Sequence, residues 1–272
     1  MSTSPRSGAG RRAAIAPAVV VALASALLLA LLVLPVVSLL LRVPPGVLLE
    51  RLQSALVTQA LWLSLLTSLA STLLVMGLGL PVAYLLAGRR FVGKRVIEAL
   101  IDLPMVLPPT VAGVGLLLAF GRVGLVGRFL APLGITVPFT VAAVVLAQAF
   151  VAGPFFVNAA RAGFEAVDPQ YLRAAATLRS SAAYTFLRIV LPLSVPALLA
   201  GAAMTWVRAL GEFGATITFA GNLPGVTQTM PLAVYIALQS DLEAAVALSV
   251  ILLVFSFTLL LALRNLPGRT WR

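Results

Sequence analysis

The sequence contains no cysteine and no histidine. Disulfides, thiolate nucleophiles, haem attachment and most zinc or iron sites are excluded together. Carboxylates are scarce as well, with eight Asp and Glu in 272 residues, scattered singly or in loose pairs. A carboxylate metal cluster is therefore not expected, and neither a metal nor another cofactor is. Charged residues of both signs make up only 10% of the chain against 61% hydrophobic, and the mean hydropathy is +1.09. A water-soluble domain of this length buries a core, but it does not hide that much apolar surface.

What the chain has instead is six uncharged apolar stretches with short arginine-studded breaks between them. They are Ala13–Leu41, Leu52–Gly88, Leu103–Gly121, Phe129–Ala160, Ile189–Val207 and Ala244–Leu263. Each reaches the roughly 20 residues that a helix needs to cross the hydrocarbon core. The expectation is an all-α integral membrane protein, one domain over 1–272. Its spans fall at about 13–41, 57–87, 102–121, 137–160, 189–218 and 244–264. Arg6, Arg11 and Arg12 followed by Ala22-Leu23-Ala24 resemble a signal peptide. The apolar run continues to Leu41, beyond the roughly 7–15 residues of a cleavable one, and reads as an uncleaved first span.

Net charge is +11, which in a soluble protein suggests nucleic acid. In a membrane protein basic loops set orientation and meet anionic lipid headgroups, so lipid and not nucleic acid is the expected partner. Six spans put both termini on one side. That side carries fourteen basic residues: Arg6, Arg11, Arg12, Arg89, Arg90, Lys94, Arg95, Arg161, Arg173, Arg179, Arg188, Arg264, Arg269 and Arg272. The other carries Arg42, Arg51, Arg122 and Arg128, with Arg208 left at the end of the fifth stretch. By the positive-inside rule the richer side, and both termini, are cytoplasmic.

The breaks differ in character. Ala220–Asp241, on the outer side, holds Gly221, Pro224, Gly225 and Pro231 yet stays apolar enough for part of it to dip back into the membrane. The inner loop at 165–187 reads as helix. Asp168-Pro169 is a helix start, because Asp caps free amides and Pro suits the first turn. Tyr171, Ala175, Leu178, Ala182 and Phe186 then recur at three- and four-residue steps, with Arg173 and Arg179 off the stripe. Such a helix over Pro169–Phe186 either lies on the membrane or docks into a groove of a cytosolic partner.

Gly88-Arg-Arg-Phe-Val-Gly93-Lys94-Arg95 has the spacing of a phosphate loop but places Arg95 where a hydroxyl must hold magnesium, and it follows a membrane helix instead of a strand. The chain thus lacks a nucleotide site of its own. Arg208 and Glu212 lie one helical turn apart and can neutralise each other. With Gly211, Gly214 and Thr216 they form either a pathway or gate element or a structural ion pair. Pro104, Pro108 and Pro109 around Thr110 remove backbone donors and force an irregular entry after Asp102. That suits a cavity lining, or simply a helix start. Gln148 and Asn158 read as interhelical hydrogen bonders. No acid, base or nucleophile accompanies Glu212, so no catalytic residue is assigned.

The run Asp168-Pro169-x-x-x-x-Ala174-Ala175-Ala176-Thr177-Leu178, followed by Ile189-Val190-Leu191-Pro192, resembles the EAA loop of ABC importer permeases. The stretch from Arg208 to Asn222, with Thr227-Gln228-Thr229-Met230-Pro231-Leu232, is similar to molybdate-type permeases. Sulfate permeases share its Gly211-Glu212-Phe213-Gly214 core. The likeness runs from about Leu56 to Leu263. It implies a type I ABC importer permease in the bacterial cytoplasmic membrane, moving molybdate inward by alternating access. It also implies a homodimer, two cytoplasmic ATPase subunits and an extracytoplasmic oxyanion-binding protein. Sulfate or tungstate is the alternative cargo. A stand-alone ion-coupled carrier is the alternative mechanism, but it wants more titratable groups than Glu212. The resemblance assigns ATPase coupling to Asp168, Tyr171, Arg173, Ala174, Ala175, Leu178, Arg179 and Ala182. Pathway or gate candidates are Arg208, Gly211, Glu212, Gly214, Thr216, Pro108, Pro109 and Thr110. The chain departs from the family at Arg173, where a glutamate is usual, and at Arg179, where a glycine is.

Because the chain has no cysteine, Arg90→Cys creates a single labelling site. It is expected to react with a membrane-impermeant maleimide only once the cytoplasmic side is opened. Labelling of intact spheroplasts reverses the orientation.

Overall fold

Every regular element among the described residues is helical. Hydrocarbon offers backbone amides and carbonyls no partner, so the chain must satisfy them within itself. The computed structural model describes residues 9–88 and 91–265, and side chains within 19–88 and 91–261. Arg6, Arg89, Arg90, Arg269 and Arg272 of the charge count lie outside the described residues, as do the side chains of Arg11, Arg12 and Arg264.

Helix α1 (Ala9–Arg42) and the short α2 (Pro45–Gln53) lead into α3 (Ala55–Gly88). The 34 residues of α3 extend about 50 Å, well beyond a 30 Å core. Then come α4 (Lys94–Val106), α5 (Pro109–Phe120), the single turn α6 (Gly127–Leu130) and α7 (Val141–Glu165). The loop helices α8 (Pro169–Thr177) and α9 (Ala182–Thr185) follow. A π-helical turn, Phe186–Val190, leads into α10 (Leu191–Leu210). The chain continues through α11 (Gly214–Ala220), α12 (Met230–Ser240) and α13 (Leu242–Asn265). Five helical segments among the described residues are long and apolar enough to cross a membrane, and six if the bent pair α4–α5 is counted as one span.

The centre is the bundle of α3, α7 and α10, and glycines set how closely these helices approach. A Cβ on Gly201 of α10 would stand 2.7 Å from the Ala159 Cβ, and one on Gly163 of α7 2.6 Å from the Ala197 Cβ. Small residues substitute for the hydrophobic drive that lipid removes, since they bring more atoms into dispersion contact. Val75, Leu86, Phe156, Phe164 and Leu198 fill the space between. A second cluster joins α5 and α11 to α7 through Leu116, Val144, Val151 and Phe219. By contrast α1 buries nothing over Val19–Arg42; near its end, Leu39 and the following Val43 share a cluster with Ala247 and Val250 of α13.

Three stretches depart from the sequence-based expectation, each for a local reason. The stretch at 102–121 is two helices bent by 117°. Leu107 and Pro108 are extended, and Pro108-Pro109 has no amide to continue the ladder. The pair still climbs α7: Asp102 meets Asn158, while Ala112 and Leu116 share a cluster with Ala143 and Val144. It is therefore one broken span. The span read as 137–160 agrees with α7, which starts at Val141, capped by Thr140, and runs on to Glu165; a short 3₁₀ turn, Ala131–Leu133, ends ahead of it at the left-handed Gly134. The span read as 189–218 breaks at Gly211–Phe213 into α10 and α11. The helix read as Pro169–Phe186 stops at Thr177 and restarts at Ala182, where the Ser181 hydroxyl accepts from the Tyr184 amide at 3.2 Å.

The loop between α11 and α13 does turn back inward. The Met230 amide donates to the Ser64 hydroxyl at 2.7 Å, a point about 14 Å along α3 from Ala55. From there α12 returns to Asp241, whose carboxylate pairs with Arg51 at 3.5 Å, just ahead of α3.

Glycine packing makes a paired prediction. Gly201→Ala is expected to cost about 1–3 kcal/mol, because Ala159 must move. Gly77→Ala, whose Cβ meets nothing within 4 Å, is expected to leave stability unchanged or raised. Thermal unfolding of the two variants in detergent distinguishes them, and equal melting points would show that close packing at Gly201 is unimportant.

Candidate functional site

The two helix breaks, over 100 residues apart in sequence, lie against each other. A Cβ on Gly214 would be 2.6 Å from the Pro109 Cβ and 3.4 Å from the Thr110 nitrogen. One turn further, a Cβ on Gly113 would meet Thr218 at 2.6 Å and the Ala215 carbonyl at 2.8 Å. Only glycine allows α5 and α11 to run side by side so closely. The two helices end together, with Phe120 and Phe219 ring centroids 6.2 Å apart. Pro109 and Thr110 are thus brought against Gly214, beside the break that holds Gly211 and Glu212, a meeting that neither segment announces alone.

Glu212 holds the second break. Its side chain is 1% exposed. One carboxylate oxygen accepts from the Ala215 amide at 2.9 Å, supplying a cap for α11. The other pairs with Nη2 of Arg208 at 2.8 Å. The ion pair therefore bridges the end of α10 to the start of α11 and stabilises the break. Arg208 itself remains 32% exposed, next to exposed Met204 and Gly211. Pro108, Pro109 and Thr110 are also exposed, whereas Gly214 and Thr216 are buried behind the seam. A guanidinium facing hydrocarbon is costly, so this face of α10 is built to meet water or another protein surface. The open groove between α10, α12 and α13 is different: Val207, Pro231, Val234, Leu253 and Phe257 line it, and it gives an anion little to hold.

Behind the seam runs a stripe of small polar residues absent from the sequence reading. Ser64, Thr67, Ser68, Ser71 and Thr72 of α3 are all buried. Trp206 Nε1 donates to Ser68 at 3.0 Å, and Ser64 receives Met230. The signal was their three- and four-residue spacing within an apolar run. Nearby polarity is less complete: Gln148, Ser71, Thr205, Thr216 and Thr229 are buried with side-chain atoms lacking a protein partner. Gln148 thus makes none of the interhelical bonds expected of it. Asn158 does, donating to Asp102 at 2.7 Å.

The loop at 165–187 is a shaped projection. Asp168 caps α8 by accepting from the Gln170 amide at 2.8 Å. The helix ends in a Schellman turn, with the Ser180 amide donating to the Ala175 carbonyl and the Arg179 amide to that of Ala176, both at 3.0 Å. Arg179 occupies the left-handed position of that turn, at φ +54°. Glycine fits there freely, and an L-residue costs about 1–2 kcal/mol. Tyr171, Arg173, Ala174, Leu178, Arg179 and Ala182 are exposed. Ala175, read as part of the same outward stripe, is instead buried at 5%.

Both stems of the loop enter the central core. Val167 and Val190 belong to the α3–α7–α10 cluster. Tyr84, Phe164 and Phe186 form a triangle with centroids 4.4–5.9 Å apart. Arg161 reaches Glu98 of α4 at 2.8 Å and Glu165 at 3.6 Å. Tyr84, Phe164 and Val167 were not singled out from sequence, because single apolar residues at the ends of apolar runs look ordinary; Phe186 was read only as part of the loop's stripe.

A seam of broken helices behind a partly exposed cation, with a loop rooted in the same core, suits movement of a solute more than covalent chemistry. The model of the family described as "Binding-protein-dependent transport system inner membrane component" matches residues 78–272. The chain belongs to this family. Among its relatives, the molybdenum transport system permease protein ModB of Mycobacterium tuberculosis is 47% identical over 195 residues, 72% of this chain and 74% of that one. ModB of Escherichia coli is 41% identical over 183 residues, 67% and 80% of the two chains. The sulfate transport system permease protein CysT of Salmonella typhimurium is 39% identical over 195 residues, 71% and 70%. The permease shares its fold with a bacterial ABC transporter involved in import of the acidic polysaccharide alginate. That TM-score is 0.72 at 15% identity, over 92% of this chain and 96% of that one. A chain of the MetNI methionine transporter gives 0.60 at 17% identity, over 77% and 93%.

Glu212→Ala is expected to destabilise the permease by about 3 kcal/mol, since it strands Arg208 and uncaps α11. Arg208→Ala combined with Glu212→Ala is expected to recover part of that loss. Additive losses in thermal unfolding would show that the two side chains are not coupled.

Proposed function

We propose that this chain is the membrane subunit of an ATP-driven importer that brings molybdate into the bacterial cytoplasm. The observation that carries the cargo is its 47% identity to ModB of Mycobacterium tuberculosis, over most of both chains. The Thr227-Gln228-Thr229-Met230 motif is consistent with it: these residues are buried and make the inward loop that ends on Ser64. Two copies of the chain form one pathway, with both termini and the α8 loop cytoplasmic. Two ATPase subunits bind that side and an oxyanion-binding protein binds the other. The ATPase pair carries all ATP chemistry.

Arg208, Gly211, Pro108, Pro109 and Thr110 face the pathway, while Glu212, Gly214 and Thr216 hold its wall. Arg208 offers an oxyanion a cation already half-neutralised by Glu212. Contact is therefore weak, as a path that must release its ion requires. Closure of the ATPase pair moves the α8 loop. The loop's stems pass that motion into α3, α7 and α10, and so to the break at Gly211. Asp168 and Ala175 shape the loop, while Tyr171, Arg173, Ala174, Leu178, Arg179 and Ala182 present its surface.

Sulfate is the second reading, favoured by 39% identity to CysT of Salmonella typhimurium. Proteoliposomes holding the permease, its ATPase and its binding protein are expected to take up molybdate only with internal ATP. Tungstate is expected to compete, sulfate to compete weakly. Uptake without ATP would sink the importer reading, and stronger competition by sulfate than by tungstate would move the cargo to sulfate.

A further inference from the structure

Gln148, near the middle of α7, is wholly buried, yet neither its amide oxygen nor its amide nitrogen has a protein partner. Turning the amide over exchanges the two atoms and pairs neither. A buried polar group in that position carries its full desolvation cost. Other polar side chains of the same helix are used: Asn158 donates to Asp102 and Arg161 to Glu98. Gln148 is the exception on its own helix.

Its place in the fold gives the exception a meaning. Gln148, Ala152, Phe156, Ala159 and Gly163 recur at three- and four-residue steps, along the face that α7 turns to α10. A Cβ on Gly201 would meet Ala159 and Phe156, and one on Gly163 would meet Ala197. The two helices therefore run antiparallel, with Gly163 level with Ala197 and Ala159 level with Gly201. Continued in steps of four, this register sets Gln148 level with Glu212 and the break at Gly211–Phe213. The chain beyond the break agrees, since Ala215 and Phe219 of α11 share a cluster with Val144, Ala147 and Val151. An uncommitted amide thus lies beside the joint.

A joint of this kind pairs its backbone differently at each angle. Here the Gly211 amide donates to the Val207 carbonyl at 3.3 Å and the Glu212 amide to that of Ala209 at 3.1 Å, while the Ala215 amide donates to the Glu212 carboxylate at 2.9 Å. A change of angle between α10 and α11 breaks some of these bonds and leaves buried groups to be received. A glutamine amide offers two donors and an acceptor, so it receives either kind. Resting on the permease reading above, we infer that Gln148 is a positioning residue of the transport cycle, idle in this conformation and paired with the backbone of the Gly211–Phe213 break in the other. The unpaired amide raises the free energy of this conformation and so keeps the two close in population. Thr205 of α10 is buried with its hydroxyl unpartnered too, but a helical threonine has the carbonyl four residues back within reach. Gln148 has no such local alternative.

The test compares the full chain with two variants, each assembled with the ATPase and the binding protein in proteoliposomes. Gln148→Met keeps the volume and removes both polar atoms. It is expected to raise the thermal-unfolding midpoint by about 2–4 °C, because an unpaired buried amide is lost. It is also expected to lower the turnover of ATP-driven molybdate uptake by roughly tenfold, with the half-saturating concentration of loaded binding protein unchanged. Thr205→Val removes a comparable unpaired hydroxyl and is expected to raise the midpoint while leaving turnover as it was. A lowered midpoint in Gln148→Met shows that the amide is already paired through solvent, and overturns the inference. Unchanged turnover in Gln148→Met overturns it as well. So does an equal loss of turnover in Thr205→Val, which traces slow transport to a stiffer bundle. In all three cases uptake by the unaltered chain still requires ATP, and the permease reading stands. Uptake by the unaltered chain without ATP removes that reading, and this inference with it.

Discussion

A carboxylate that is almost wholly buried must spend both oxygens on partners, and Glu212 does so across a gap in a helix. One oxygen ends α11 at the Ala215 amide; the other holds Arg208 on α10. Remove it and three things change together: a buried amide loses its acceptor, a cation loses its counter-charge, and the angle between the two helices loses its tether. The break at Gly211–Phe213 is therefore a defined joint. The glycines beside it matter for the same reason, because Gly214 and Gly113 allow the proline break of the neighbouring span to lie flush against that joint.

The same economy of contact runs through the rest of the bundle. Three helices pressed together at Gly79, Gly163 and Gly201 have no slack in which to deform singly. The Tyr84–Phe164–Phe186 triangle and the Arg161–Glu98 bond tie the loop stems to α3 and α4 as well as to α7. In the mechanism proposed above, a displacement at the stems is passed on as a shift of this packed unit, and the points that yield are those where the helical ladder is already interrupted: Leu107–Pro108, the π-turn before α10, and Gly211–Phe213.

Much of this was legible in the chain. Apolar runs bounded by arginines mark spans by length alone; Pro108-Pro109 stood out as an irregular entry and Arg208–Glu212 as a charged turn, whereas the break at Gly211–Phe213 was hidden inside a span read as continuous over 189–218. Their meeting was not legible, since nothing in a single sequence relates Pro109 to Gly214. The loop was misread as one helix because Tyr171, Ala175, Leu178, Ala182 and Phe186 keep helical spacing through a turn. Ser180-Ser181 was the competing signal, a cap for a new helix. The hydroxyl stripe of α3 passed unnoticed because single serines and threonines are common in membrane helices, and only their shared face gives them meaning.

The contrast between α1 and the short helices lies in what each asks of its surroundings. Helix α1 buries nothing over Val19–Arg42, so hydrocarbon suits its length without help from the rest of the chain. The opposite holds for α5, α11 and α12, which have 12, 7 and 11 residues and cannot span by themselves. Their ends carry free backbone groups that need side-chain partners: Ser64 of α3 for Met230, and Glu212, just ahead of α11, for Ala215. The chain thus divides into helices that partition and helices that are received, and the seam at the functional site is made wholly of the second kind.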